Sequence, residues 1–561
     1  MLTNRDLVEL TEFRRALHRR PEVSGEEVET ARTIMSALKP LSPSRILTGL
    51  GGHGVAAFSQ NARDSHGSTD HGANNLTAQF PTQDVDGDLA DALRLIVGVA
   101  NVLTQQGDVA GYLRDWTGQY RAPALAVVRP GSTAEVAEVV KLCHTHKIAL
   151  VPQGGRTGLC GGGVPVQGQP SVVLSLTRMT AVRSLDTDGR TVVAEAGVVL
   201  EALHEAASEH GLIFPLMFGA KGSCTLGGNL STNAGGSNVV RYGNTRELCL
   251  GIEAVMPDGA VINALTGLRK DNTGYDLKDL LIGAEGTLGI ITAAVFKLFP
   301  APVARSTAFV SAASLGAAVE VLNRLQDHTG GGVEAFEYMP DAAVNVICKV
   351  FPETRRPLEH PAATGVLVEV TSSRSSDGEA MGDGSIRLET EVMELLAELM
   401  EDGLVLDAML AQSEQQRGDL WKMRESVLEA ITEAGPAYHL DISLPLAKVA
   451  TFVEQMDPQM ARLGFQPLTV GHLGDGNLHY ALSAAEGRDW EALPLETAKE
   501  HVFERLTQLG GSFSAEHGIG QSKLSVMSML KEASQLAVMR EIKSALDPRN
   551  IMNPGKLLPP A

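Results

Sequence analysis

Cysteine is scarce in this sequence: Cys143, Cys160, Cys224, Cys249 and Cys348 are the only five in 561 residues, and no two form a C-x-x-C pair. So sparse and odd a set argues against a disulfide framework and against a cysteine-built zinc site, and it suits a reducing, cytoplasmic compartment. Basic residues are also outnumbered, 47 Lys and Arg against 67 Asp and Glu. The resulting net charge of −20 repels nucleic acid and anionic membrane surfaces, so an anionic substrate needs a local cluster of Arg, Lys or metal. No stretch approaches the roughly 18 apolar residues of a membrane-spanning helix, and the amphipathic start MLTNRDLVELTEFRRALHRR has no secretory core. No repeat of roughly 20–50 residues is present.

Glycine, by contrast, is abundant and clustered, with 58 residues. PQGGRTGLCGGGVP (152–165) follows a strand-like run. Consecutive glycines bring backbone N–H groups close to a ligand and can form an anion-binding nest. No G-K-[ST] follows, and the loop runs into Val164-Pro165 rather than opening a helix, so it is neither a Walker A loop nor a dinucleotide fingerprint. GSCTLGGNLSTNAGG (222–236) and GAEGTLGIIT (283–292) have the same character, which makes three accidental turns a poor explanation. Around them the order is strand, Pro-Gly turn, capped helix, strand and loop, up to a boundary near Pro300 and Pro302. Residues 303–561 alternate strands with long helices, an α+β pattern expected to give a sheet covered on one face, followed by a helical tail. Residues 59–88 are polar, turn-forming and aperiodic, as in a linker, and 1–58 form a separate segment.

GHLGDGNLHY (471–480) raises a question of its own. His472 and His479 flank an Asp-Gly-Asn turn, and seven residues apart they would face opposite sides of a continuous strand. A turn at Gly474-Asp475-Gly476 folds the chain back and removes that objection, yet an ordinary structural hairpin explains the pair equally well.

Together with VRPGSTAEV, RYGNTRELCLGIEAVMPDG, DNTGYDLKDLL, SAEHGIG and LDPRNIMNPGK, these motifs stand in an order that resembles the FAD-dependent D-2-hydroxyacid dehydrogenases. That group covers D-2-hydroxyglutarate dehydrogenase, cytochrome-type D-lactate dehydrogenase and the glycolate oxidase catalytic subunit, within the vanillyl-alcohol-oxidase-like flavoproteins. The resemblance spans about residues 90–561. It implies a PCMH-type FAD-binding domain of two α/β subdomains (89–302) and an α+β substrate or cap domain (303–561) whose helical end returns to the flavin. FAD contacts are implied at Pro152, Gly154, Gly155, Arg156, Thr157, Gly158, Gly161, Gly162, Ser223, Gly228, Asn229, Thr232, Gly235, Gly289, Ile290 and Asn553.

Oxidation of a hydroxy acid by flavin removes a hydroxyl proton and passes a hydride to flavin N5, which calls for a base, a carboxylate anchor and a group that polarises the hydroxyl. The resemblance implies a divalent metal (Zn²⁺, with Mn²⁺ or Fe²⁺ as alternatives) on His472, His479 and Glu516. It implies His517 as base, or else as an orienter of the ligands, and Arg424 as the carboxylate anchor. Two positions depart from the family pattern: His439 stands at or beside a place where many relatives have Lys, and Ala481 where many have Asn. The implied substrate is a small D-2-hydroxy acid, D-2-hydroxyglutarate or D-lactate, with glycolate as an alternative. Electrons would go to an electron-transfer flavoprotein, a quinone or a cytochrome. A non-catalytic FAD-binding partner subunit is the reading from another class, and a homodimer is an open expectation. Finally, FRRALHRRPEVSGEEVETA with GLGGHGVAA resembles the start of metal-dependent amidohydrolases such as hippurate hydrolase, but their later ligand segments do not follow, so 1–58 are read as a fragment in which His18 and His53 are not ligands.

Overall fold

The computed structural model describes the backbone of residues 45–50, 54–58 and 87–560 apart from 383. The chain divides into two compact units, Met1–Gln79 and Phe80–Ala561. In the first, strands Arg45–Leu50 and Gly54–Phe58 pair antiparallel. The rest of the amidohydrolase-like segment and nearly all of the linker lie outside the described residues.

The second unit begins with a four-stranded sheet in the order Val102–Leu103, Ala126–Val128, Ser171–Ser175, Ala149–Gln153, whose last three strands run parallel. The helix Thr133–His146 crosses between two of them. Its start is set by Ser132, whose hydroxyl accepts the Glu135 N–H, and its end by Lys147 in the left-handed conformation. Val136, Val139, Val140 and Cys143 recur at helical spacing and are buried against the sheet. The first glycine loop leaves the carboxyl end of Ala149–Gln153, where ligands bind in open α/β sheets. A five-stranded antiparallel sheet follows, in the order Val261–Asn263, Cys249–Val255, Ile290–Lys297, Thr191–Glu195, Val182–Asp186.

The largest sheet has seven strands, in the order Val405–Leu410, Ala304–Ala312, Thr364–Ser372, Val333–Tyr338, Phe465–His472, Asn477–Ala484, Ala437–Ser443. One face packs on helices Leu315–Thr329, Arg387–Glu401, Val449–Arg462 and Leu495–Gln508. The other packs on Asp341–Val350, Glu414–Glu425 and Val427–Ala434. The expectation of cover on one face alone is thus corrected. Every residue of Thr364–Ser372 is buried, and its near-continuous apolar run TGVLVEVTS is the signature of a strand enclosed on both sides. Among the described residues no helix is long and apolar enough to cross a membrane.

One acid in this core opposes folding at neutral pH. Asp457, on the helix Val449–Arg462, accepts the Tyr480 hydroxyl at 2.9 Å, and burial pushes its pKa from 3.8 to about 6. A folded value above the unfolded one means that stability falls as pH rises from about 4 through about 6 and stays lowered beyond. Asp457→Asn should therefore stabilise the protein at pH 7.5 by about 1–3 kcal/mol. Scanning calorimetry should show that gain vanishing near pH 4, and a gain independent of pH would contradict the assignment to Asp457 ionisation.

Candidate active site

GHLGDGNLHY is a hairpin and also a cluster. Strands Phe465–His472 and Asn477–Ala484 are joined by a tight turn in which Gly476 has φ 79°. A Cβ on Gly476 would lie 2.2 Å from the Leu444 oxygen, so no other residue fits there. Across the strands Val470 stands opposite His479, His479 opposite Asp441, and Glu337 opposite His472. Directly opposed residues share a face, so both histidines, Glu337 and Asp441 lie on one face. Leu473, Leu478 and Tyr480 fill the core on the other.

Glu516 and His517 arrive on the segment after helix Leu495–Gln508, which pairs with Ser443 through Ser512. Asp441, only 3% exposed, fixes this segment: its Oδ2 accepts the N–H groups of Ala515 (3.1 Å), Glu516 (3.1 Å) and His517 (2.9 Å). Glu516 Oε1 then lies 3.8 Å from His472 Nε2, 3.6 Å from His479 Nε2 and 3.9 Å from His517 Nε2. The His479 and His517 rings stack at 5.7 Å. Glu516 Oε1 thus lies within 3.8 Å of both histidines expected to join it as ligands, but His472 is not among the residues whose ligand atoms all come mutually close. Asp441, His479, Glu516 and His517 offer ligand atoms all within 4.8 Å of one another.

Glu337, fully buried, sets the electrostatics. It accepts His472 Nδ1 at 2.8 Å and Arg424 Nε at 2.8 Å. Burial opposes a charge on His472, but the Glu337 carboxylate outweighs it and lifts the pKa to about 10. Burial likewise opposes the charge on Glu337, and His472 and Arg424 together hold its carboxyl below the usual range. At His479 burial prevails: opposed by Glu516 but reinforced by His472 and His517, it depresses the pKa to about 3. Glu516 is pulled well below the carboxylate range by the surrounding histidines in spite of its burial. The cluster therefore presents an ionised carboxylate at Glu516, a neutral imidazole at His479 and, at His472, an imidazolium whose Nδ1–H is held by Glu337 and whose second proton, on Nε2, faces Glu516.

Arg424 lies in the last turn of Glu414–Glu425, a helix fixed to the sheet by the two-pronged pair of Arg417 with Glu369. The Arg424 Nε and Nη2 both lie 2.8 Å from Glu337 Oε2, with Nε donating the hydrogen bond and Nη2 completing the ion pair. His439 stands directly opposite Ala481. Desolvation and then the neighbouring His517 lower its pKa, although the residue as a whole is exposed on its strand. Ala481, 2% exposed, packs among Met423, Leu468 and Val470.

The glycine loops converge on the same place. A Cβ on Gly155 would lie 2.0 Å from the Ser223 oxygen, and one on Gly154 2.3 Å from Thr225 Oγ1, so these two glycines serve the close packing of the first loop on the second. The Gly158 position is open, and Gly161 (φ 67°) lies against Tyr120. Arg156, also at positive φ, reaches back to the Gly111 oxygen and covers the Tyr112 ring. Pro152 and Thr157 flank this loop, and Ser223 leads into helix Leu226–Thr232, which carries Gly228, Asn229 and Thr232. Thr232 Oγ1 turns inward to the Gly228 oxygen. A Cβ on Gly235 would meet Glu516 Oε2 at 3.0 Å, which brings the second loop against the histidine cluster. Gly289 packs tightly on Leu281 and the Val255 oxygen, and the Ile290 side chain, 2% exposed, belongs to the core, so this pair can offer a cofactor backbone atoms only. Asn553 Nδ2 ties the loops together through the oxygens of Gly162 and Glu285.

FAD carries many acceptors and donors, and the loops have complementary atoms left over. Gln153 Oε1, Thr225 Oγ1, Asn553 Oδ1 and Lys556 Nζ are buried without a hydrogen-bond partner. Buried polar groups are seldom left so, and the residues present fit FAD. The sequence reading overlooked Glu337, Asp441 and Glu285. Each is an acid inside an otherwise apolar or glycine-rich stretch (VEAFEY, HLDISLP, GAEGTLG), which is the one local signal that could have marked it.

Residues 124–265 match the family described as FAD binding domain, and 301–557 match FAD linked oxidases, C-terminal domain. The chain is 36% identical over 474 residues to D-2-hydroxyglutarate dehydrogenase, mitochondrial, of Bos taurus, covering 84% of each. It is also 36% identical over 474 residues to D-2-hydroxyglutarate dehydrogenase of Xanthomonas citri pv. viticola, covering 83% of this chain and 96% of that one. Among solved structures, p-cresol methylhydroxylase superposes with a TM-score of 0.66 at 15% identity, covering 85% of this chain and 98% of the other. 4-Ethylphenol oxidase from Gulosibacter chungangensis does so with a TM-score of 0.61 at 19% identity, covering 84% and 97%. These two establish the fold, that of the vanillyl-alcohol-oxidase-like flavoproteins. None of the matches supports the amidohydrolase reading of 1–58. The cytoplasmic assignment is overturned as well: the bovine, Arabidopsis thaliana and rat relatives are named mitochondrial. Unpaired thiols report that no disulfide is needed, which holds in any reducing compartment. The chain belongs to the FAD-linked oxidases, in a group whose members include the D-2-hydroxyglutarate dehydrogenases, and it is an FAD-dependent oxidoreductase.

Proposed function

We propose that the protein oxidises a small D-2-hydroxy acid, D-2-hydroxyglutarate or D-lactate, to the 2-keto acid, with a divalent cation on His472, His479 and Glu516. The observation that carries the reading is the 3.0 Å approach of the Gly235 Cβ position to Glu516 Oε2, where a cofactor loop abuts the carboxylate of the histidine cluster. FAD, when bound, supplies the two-electron acceptor. A divalent cation supplies a Lewis acid that makes the substrate hydroxyl more acidic.

The chain's own residues do the rest. Glu337 holds the proton on His472 Nδ1, which leaves Nε2 as the atom turned to Glu516. His479 is neutral and Glu516 ionised, as metal ligation requires, and a cation would take the place of the proton that His472 carries on Nε2. Asp441 positions the His517 backbone, and the His517 imidazole, stacked on His479, accepts the hydroxyl proton. Arg424, whose Nε and Nη2 both lie 2.8 Å from Glu337 Oε2, meets the substrate carboxylate with the remaining edge of its guanidinium. Electrons then leave to an external carrier, an electron-transfer flavoprotein, a quinone or a cytochrome. The intact cluster favours this over a non-catalytic partner subunit.

Purified protein should show flavin absorption that bleaches anaerobically with D-2-hydroxyglutarate or D-lactate and not with the L-enantiomers; a flavin that none of these acids bleaches would defeat the proposal. Chelator treatment, or Glu516→Gln, should slow bleaching by about 10²-fold or more with the flavin still bound, and chelator-insensitive reduction would remove the metal from the scheme. Gly235→Ala is expected to displace the flexible end of Glu516 and slow reduction at least about tenfold, with stability changed by less than about 1 kcal/mol. Stopped-flow reduction and thermal melts would separate that outcome from simple misfolding.

A further inference from the structure

Lys556 is a cation with nothing to hold. Its side chain is 3% exposed, and its Nζ has no hydrogen-bond partner. The charge that acts on it in its favour is Glu285, whose two carboxylate oxygens are already used by the N–H groups of Ile519 and Gly520, each at 2.7 Å. Three N–H donors of an ammonium thus stand buried beside a carboxylate that does not take them. A buried ammonium left in that condition opposes folding, and a methionine of similar length would serve packing better.

The surrounding tail is built to keep Lys556 in place. Asn553 N–H donates to the Leu150 oxygen at 2.8 Å on one side of it, and Leu557 N–H to the Gly520 oxygen at 3.1 Å on the other. Between Asn550 and Leu557 the chain takes positive φ at Asn550 (50°), Asn553 (42°), Gly555 (75°) and Leu557 (63°). Three of those are not glycine, and such strain gathers where a fold clamps a ligand. Three other unpartnered buried atoms, Asn553 Oδ1, Gln153 Oε1 and Thr225 Oγ1, belong to the same group of loops.

We propose that Lys556 is a cofactor-binding residue whose ammonium donates to an acceptor oxygen of FAD, with Glu285 as its charge balance. The acceptor is an oxygen of the diphosphate or of the isoalloxazine ring, and both take a charge-assisted hydrogen bond from Lys. Burial depresses the ammonium to about pKa 7 against the pull of Glu285, so an anionic partner is what keeps it charged above neutral pH. The inference rests on FAD binding alone and is independent of which hydroxy acid is oxidised.

Lys556→Met, Lys556→Gln and Lys556→Arg in the full-length holoprotein test it without recourse to turnover. Flavin release on dilution, read by fluorescence, should show FAD held about 10- to 100-fold more weakly in the Met and Gln variants. The Arg variant should hold it more firmly than either. Displacement by ADP locates the acceptor. If the diphosphate is the partner, the variants also bind ADP more weakly; if the ring is, ADP binding is unchanged and the flavin midpoint potential falls, because the reduced ring loses a nearby cation. Folded Met and Gln variants with unchanged FAD retention and midpoint potential would overturn the assignment. If Met at 556 prevents folding, the Gln variant, which keeps a donor but no charge, carries the same two readouts.

Discussion

The structure turns on one segment, residues 515–520, held from two sides by buried carboxylates. Asp441 in the large sheet accepts three of its backbone N–H groups, and Glu285 in the third glycine loop accepts two more. Each bond is charge-assisted and shielded from water, so each is worth more than an ordinary turn contact. Glu516 and His517 are held at the first clamp by their own backbone N–H groups, which fixes where their side chains start. Gly518 and Gly520 are required at the far clamp, because a Cβ there would lie 2.8 Å from Glu285 Oε1 or 2.0 Å from the Cys160 oxygen. The segment thereby joins the histidine sheet to the cofactor loops, and neither half of the site is complete without it.

Glu337 plays the corresponding part within the sheet. One fully buried carboxylate holds an imidazole and a guanidinium at once, and the two histidines of a single hairpin respond in opposite directions. His472, in contact with Glu337, is raised, and His479, one strand further on, is lowered chiefly by burial and then by His472 and His517. Burial opposes a charge on both, and the register gives only His472 a directly opposed carboxylate in Glu337. A shift of one residue would send both histidines to the apolar face.

Much of this was legible in the sequence. The three glycine loops and the turn in GHLGDGNLHY were legible in the residues themselves, whereas the grouping of His472, His479 and Glu516 came only as what the family resemblance implied. What stayed hidden were acids whose partners lie far along the chain: Glu337 is 135 residues from His472, Asp441 is 76 from His517, and Glu285 is 234 from Ile519. No local pattern encodes such distances. The glycines also carried less ligand information than their density suggested. Gly154 and Gly155 are explained by loop packing against Thr225 and Ser223, and Ile290 by the hydrophobic core. Close approach between backbones and close approach to a cofactor need the same residue, and sequence alone does not separate them.

Substrate recognition is constrained by where the cations have gone. Lys523 is occupied by Ser514 and Asp441, and Arg424 is half occupied by Glu337. Next to His479 the sheet face continues into Ala481, which packs on Leu468, Val470 and Met423 rather than on any charged group. The titratable side chain directly opposite, His439, is exposed on its strand, and desolvation and His517 lower its pKa. On the proposed reading a first carboxylate would meet the edge of Arg424 that Glu337 does not hold, while a second one would have to draw its charge from His439, whose protonation desolvation and His517 resist. On the proposed reading, the choice between a monocarboxylate and a dicarboxylate turns on His439, on the strand that also carries Asp441 and hence the position of His517.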